Sequence, residues 1–153
     1  MVIKGQVISG EFGRIVARQK SGQNIEVGEL LVSDSKDGKI ILQVYDLVYA
    51  SQISQQNLEL IAGMKLEENT EFEIFDGALR NYMLAMMKQL VTVKDKKAFV
   101  SKSLPGFFSE VRELKNEDLD FLTKPKNPLF LGNLRSGSKT LDVPVYVDGE
   151  KVL

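Results

Sequence analysis

The chain contains no cysteine and no histidine. That double absence excludes disulfides, thiolate nucleophiles, Ser-His-Asp triads and the usual zinc ligands. An excess of charge of one sign is missing too: 20 Lys and Arg stand against 21 Asp and Glu, a formal net charge of −1. Nothing in the whole-chain charge draws the protein to nucleic acid or anionic lipid, so any DNA contact has to be a local patch. No apolar run approaches the ~18 residues of a membrane span, and Met1-Val2-Ile3-Lys4-Gly5 lacks the long apolar centre of a signal peptide. A cytoplasmic location with no membrane partner is therefore the expectation.

What is present is ordinary: 153 residues, 43% apolar and 27% charged. This suits one domain, or one domain with an appendage, able to bury roughly two-thirds of its unfolded surface. Val2–Ser9, Arg14–Lys20, Glu29–Ser33 and Ile40–Tyr49 read as strands, punctuated by Ser9-Gly10, Ser21-Gly22 and Asp37-Gly38. The last is long, β-branched and aromatic, and fits a bent central strand. From Ser54 the period changes: Leu58, Ile61 and Ala62 predict a short helix stopped at Gly63. A stronger helix is expected from Asp76, as N-cap, to Leu90, on the spacing of Leu79, Tyr82, Met83, Met86, Met87 and Leu90.

Val91–Val93 and Ala98–Ser101 predict a hairpin turning through Lys94–Lys97. A short helix with inward Leu119 and Leu122 follows at residues 116–123, ended by Pro125 and Pro128. Leu141–Val147 reads as a strand with Pro144 at an edge or bulge, and Asp148-Gly149 as a turn before Lys151-Val152-Leu153 enters another extended stretch. The fold expected is mainly β (α+β): a small, roughly six-stranded β-barrel over 1–123 with a helical insertion at about 54–90, then an extended C-terminal tail over 124–153.

Five features bear on chemistry. Gly132-Asn133-Leu134-Arg135-Ser136-Gly137-Ser138-Lys139-Thr140 approaches a P-loop, but Ser138 intervenes between the second glycine and the lysine, and a strand-like segment replaces the helix that would receive phosphate. It reads as a polar loop between extended segments, and no ATP binding is expected from it. Lys94, Lys96, Lys97 and Lys102 form the densest basic cluster, a weak DNA contact at most, since Asp95 dilutes it and the turn carries no aromatic. Glu67, Glu68, Glu71 and Glu73 crowd without the convergence a hard cation needs. Met83, Met86 and Met87 suit core filling more than an adaptable binding face. Leu104-Pro105-Gly106-Phe107-Phe108 is an apolar, aromatic loop with two open readings, a docking surface or a lid folded onto the barrel.

Several stretches together resemble a known family. They are Gly5-Gln6-Val7-Ile8-Ser9-Gly10, Val27-Gly28-Glu29-Leu30-Leu31-Val32, Leu104-Pro105 with Ser109-Glu110-Val111-Arg112, and Pro128-Leu129-Phe130-Leu131-Gly132-Asn133-Leu134-Arg135 followed by Val143-Pro144-Val145-Tyr146-Val147-Asp148. In order they resemble the N-terminal HAS-barrel region of archaeal HerA-like ATPases, hexameric DNA translocases or helicases that work with the nuclease NurA on DNA ends. The resemblance implies a non-catalytic domain serving ring assembly and docking of a NurA-like nuclease, with Leu104, Pro105, Phe107 and Phe108 as candidate docking residues. It implies no catalytic residue, metal or cofactor in this chain, ATP and magnesium belonging to a motor domain whose P-loop follows shortly after the strand corresponding to Val143–Val147; one further strand and its turn would place that loop roughly ten to twenty codons past Leu153. The alternative is a stand-alone barrel binding single-stranded nucleic acid.

Overall fold

The computed structural model describes residues 1–68 and 80–152. Six antiparallel strands close into a barrel: β1 (Ile3–Glu11), β2 (Arg14–Gln19), β3 (Leu30–Ser35), β4 (Gly38–Ser51), β5 (Asn81–Lys94) and β7 (Glu110–Glu113). The order is β2-β1-β7-β3-β4-β5, and pairing of β5 back onto β2, from Ile15 opposite Met87 to Arg18 opposite Leu84, completes the ring. Closure leaves these strands no open edge, the costly feature of a flat sheet. The short strand β6 (Lys97–Phe99) pairs with β5 outside the ring. Strands β8 (Pro128–Ser136) and β9 (Lys139–Asp148) form a separate ribbon, followed by one helical turn, α2 (Gly149–Val152).

Inside the barrel Val7, Ile15, Ala17, Leu31, Ile40, Leu42, Val44, Ala85, Met87 and Val111 make one core. A second core lies on the outer wall, where Leu30, Val32 and Ile41 meet Leu114, Leu119 and Leu141. Neighbouring residues of β3 point to opposite faces, so a strand covered on both sides reads as an unbroken apolar run. Bulges at Ile8, Tyr45 and Leu90, each unpaired between paired neighbours, bend β1, β4 and β5 round the curve.

The insertion departs from the sequence expectation. Helix α1 (Gln55–Glu67) begins where expected, the Ser54 hydroxyl accepting from the Asn57 amide at 3.3 Å, but it passes through Gly63 and ends four residues later. It lies outside the ring, with Leu58, Ile61 and Met64 half-buried and Ala62 exposed. The helix expected over Asp76–Leu90 is instead strand β5 from Asn81 onward. Asp76 and Leu79 fall outside the described residues. A spacing of four places residues on one face of a helix and of a strand alike, so Met83 with Met87, and Met86 with Leu90, fit either. Tertiary pairing decides, with β4 on one side and β2 on the other.

Two further expectations are corrected. Residues 116–119 make a 3₁₀ turn rather than a helix to 123, with Leu119 buried and Leu122 exposed. The tail is extended as expected, its two strands paired as a ribbon, but Gly149–Val152 coils into α2 rather than entering a further extended stretch. No described helix is long and apolar enough to cross a membrane.

Candidate functional site: an aromatic rim on the barrel

The barrel end that carries the β1–β2 turn also carries the apolar loop at 104–108. Phe107 and Phe108 are 66% and 62% exposed, their rings meeting edge to face at 4.5 Å. Leu104 is exposed beside them and Pro105 is buried as the anchor. With both rings in solvent, the loop is not a lid on the core. Its backbone is pinned to β1: the Phe108 amide donates to the Val7 carbonyl, the Val7 amide donates to the Ser109 carbonyl, both at 2.9 Å, and the Gln6 side chain donates to the Phe108 carbonyl at 2.8 Å.

The Ser109 amide closes a turn onto the Gly106 carbonyl at 3.0 Å, with Phe108 in its third position at φ 64°. That left-handed backbone suits glycine, and a bulky residue there costs about 1–3 kcal/mol. The chain spends that energy on holding an aromatic ring outward. Gln89 widens the rim, accepting from the Gly13 amide at 2.9 Å and donating to the Ser103 carbonyl at 3.2 Å. This joins the turn bearing exposed Phe12 to the loop bearing Leu104. Sequence reasoning missed Phe12 and Gln89, because their link is a contact between elements seventy-six residues apart.

The basic cluster is brought together only in part. Lys94 pairs with Lys97 across the β5–β6 turn, Asp95 and Lys96 form that turn at φ 51° and 59°, and all are exposed. Lys102 is exposed beyond β6, next to Ser101, whose hydroxyl is buried against that of Thr92 at 2.9 Å. Of the methionines, Met87 is in the core, while Met83 and Met86 are half-buried and Met83 lines a largely apolar cleft of about 550 Å³ beside Tyr49, Leu58 and Tyr82. Glu67 and Glu68 are exposed at the end of α1, and Glu71 and Glu73 lie outside the described residues. No group of His, Cys, Asp or Glu among the described residues is arranged to hold a metal ion.

The P-loop look-alike is the turn of the β8–β9 ribbon. Its amide meets an anion, but one of the chain's own: Ser138 donates from its backbone to Glu26 Oε2 at 2.8 Å and from its hydroxyl to Oε1 at 3.1 Å. A Cβ on Gly137, at φ 59°, would lie 2.7 Å from that same carboxylate oxygen, so a larger residue there would have to push the Glu26 carboxylate from its present seat. The Ser138 backbone hydrogen bond, then its hydroxyl, hold the Glu26 carboxyl below the ordinary range. Lys139, the would-be phosphate ligand, points to Glu113 at 3.8 Å.

A buried ion pair ties β7 to the 3₁₀ segment. Arg112 donates two 2.8 Å hydrogen bonds to the Asp118 carboxylate, which also accepts from the Lys115 amide at 2.8 Å and lies 3.4 Å from Lys39 Nζ. Burial pushes the Asp118 carboxyl up, but the Arg112 hydrogen bonds and the Lys115 amide outweigh it and leave the group below its ordinary value. Such pairing fixes β7, and with it the exit of the aromatic loop.

The chain matches no protein-family model, and no curated protein matches it.

Proposed function

We propose that this chain is a non-catalytic assembly and docking domain, the N-terminal barrel of a HerA-like ATP-dependent DNA translocase or helicase that serves ring assembly and receives a NurA-like nuclease. The observation that carries the docking part is the Phe107–Phe108 pair: two rings exposed side by side, one held outward by a backbone that costs energy. Aromatic side chains on a preorganised loop are the residues that dominate protein interfaces. The identity of the partner rests on the resemblance of the ordered motifs given above. The same geometry supports a chain without ATPase chemistry, since the P-loop look-alike is a β-turn already engaged by Glu26.

Calorimetry of the chain with a NurA-like nuclease tests the reading. Binding is expected, with Phe107→Ala and Phe108→Gly each weakening it by more than about tenfold, the size of an interface hot spot. Phe108→Gly relieves the left-handed strain, so its loss of affinity would come with a chain at least as stable as the parent. Equal affinity for parent and both variants would remove the rim from the interface.

A further inference from the structure

A second surface joins features that lie far apart in the sequence. Between the β5–β6 turn, the 3₁₀ segment and β9 runs a cleft of about 630 Å³, lined among others by Lys96, Asn116, Asp120, Lys124, Asp142 and Tyr146. Its volume falls within the range of small-molecule sites. Tyr146 is half-buried at its wall, with Lys124 Nζ 5.2 Å from the ring centroid and the Phe130 ring, 61% exposed, 5.8 Å away. Among the described residues neither Lys96 nor Lys124 forms an ion pair.

Lys96 carries an independent signal. Two-residue hairpin turns with both centres in the left-handed region favour Asn-Gly or Asp-Gly, and here Asp95 is followed by Lys96 at φ 59°. A lysine occupies the position where glycine would be easier, and it lines the cleft. The turn itself carries no aromatic; the fold brings Tyr146, fifty residues away, to the same cleft.

We propose that this cleft binds one nucleoside phosphate unit of a single strand, the base stacking on Tyr146 and the phosphate lying between Lys96 and Lys124. Asn116, Asp120 and Asp142 offer hydrogen-bond partners to base-edge amino groups or sugar hydroxyls. The two aspartates confine the phosphate to the lysine side and keep the site weak. Aromatic stacking accepts any base, so little sequence preference is expected. This inference is independent of the docking rim.

Fluorescence anisotropy of a short labelled oligothymidylate with the full chain tests it. One neutralised phosphate gives a slope of log affinity against log salt of about −0.7 for a single strand. Tyr146→Ala should weaken binding roughly five- to 150-fold, while Tyr146→Phe keeps it. Lys96→Gly, in a turn that prefers glycine, should fold as well as the parent, lose affinity and flatten the slope, Lys124 alone remaining on the phosphate. Competition by free thymidine monophosphate distinguishes the sources: weaker competition than by the unlabelled strand assigns the site to a strand, equal competition to a free nucleotide, and both keep the nucleoside phosphate assignment. Absence of oligonucleotide binding, or parent-like binding by both Tyr146→Ala and Lys96→Gly, would overturn it.

Discussion

Strands β3 and β8 draw on the same kinds of residue and end in opposite circumstances. In β3, Leu30, Leu31, Val32 and Ser33 are all buried, because the barrel interior takes one face and the base of the ribbon with the 3₁₀ segment takes the other. In β8, Leu129, Phe130 and Leu131 are all exposed, on a two-stranded ribbon with a bulge at Leu131. A strand gains stability from what covers it more than from its own propensity. The ring is a closed unit with a core of its own; the ribbon is fastened to it at the ribbon turn and along Leu134, Leu141 and Val143, which join the second core, while Leu129, Phe130 and Leu131 lie exposed.

The sharpest way to break that comparison is to attack the ring from inside. Met87→Asp places an unpaired charge in the core and should cost on the order of 5 kcal/mol or more, enough to unfold a domain of this size. Met83→Asp, four residues along the same strand and half-buried at an open cleft, should cost less than about 2 kcal/mol. Urea denaturation of both variants measures the difference. Equal losses would mean that the interior and the α1 side of β5 are not distinct environments.

Next in size is the ion pair that links β7 to the 3₁₀ turn. Asp118→Ala leaves Arg112 buried without its carboxylate and should cost about 3–5 kcal/mol. The folded Asp118 carboxyl is held below its unfolded value near ~3.9, so its contribution is complete above that pH and drains away as pH falls through the lower folded value. Urea midpoints measured from neutral pH down through that window should fall for the parent and converge on those of Asp118→Ala. Parallel curves would exclude this carboxylate as the source of the acid sensitivity.

These contrasts also show what was legible in the sequence. Strands β1 to β4 were readable because turn glycines bracket short runs of β-branched residues, and the barrel followed from their spacing. Strand β5 was misread as a helix because the spacing of its methionines is compatible with both periods. The uninterrupted run Tyr82-Met83-Leu84-Ala85-Met86-Met87, apolar where a helix would turn a polar face, was the signal for a strand packed on both sides. At the rim, Phe107 and Phe108 could be singled out by composition alone, but their exposure could not. The left-handed φ of Phe108 is imposed by pairing of the loop with Val7, a contact no local pattern encodes. Lys96 was visible as charge, and the Tyr146 that lines the same cleft was not.

The smallest expected effect belongs to the ribbon, and it tests whether ring and ribbon are separable. Glu26 reaches from the loop before β3 to the ribbon turn, and its carboxylate takes both the amide and the hydroxyl of Ser138, while the Ser136 hydroxyl accepts from the Leu30 amide at 2.8 Å. Glu26→Gln removes the charge and turns one acceptor oxygen into a donor, so the Ser138 hydroxyl must reverse to accept and the bond from the Ser138 amide loses its charge assistance. The barrel core does not include this contact, and the global melting transition should stay where it is in the parent. Hydrogen exchange at the Ser138 amide should nevertheless quicken several-fold, because that amide is protected by local attachment of the turn. In the parent the same loosening should come with acid: Ser138 holds the Glu26 carboxyl below its unfolded value near ~4.3, so the clamp is intact above that pH and releases as pH falls through the lower folded value. If Glu26→Gln instead lowers the global transition and leaves Ser138 exchange tied to it, the turn unfolds only with the barrel, and ring and ribbon are one cooperative unit.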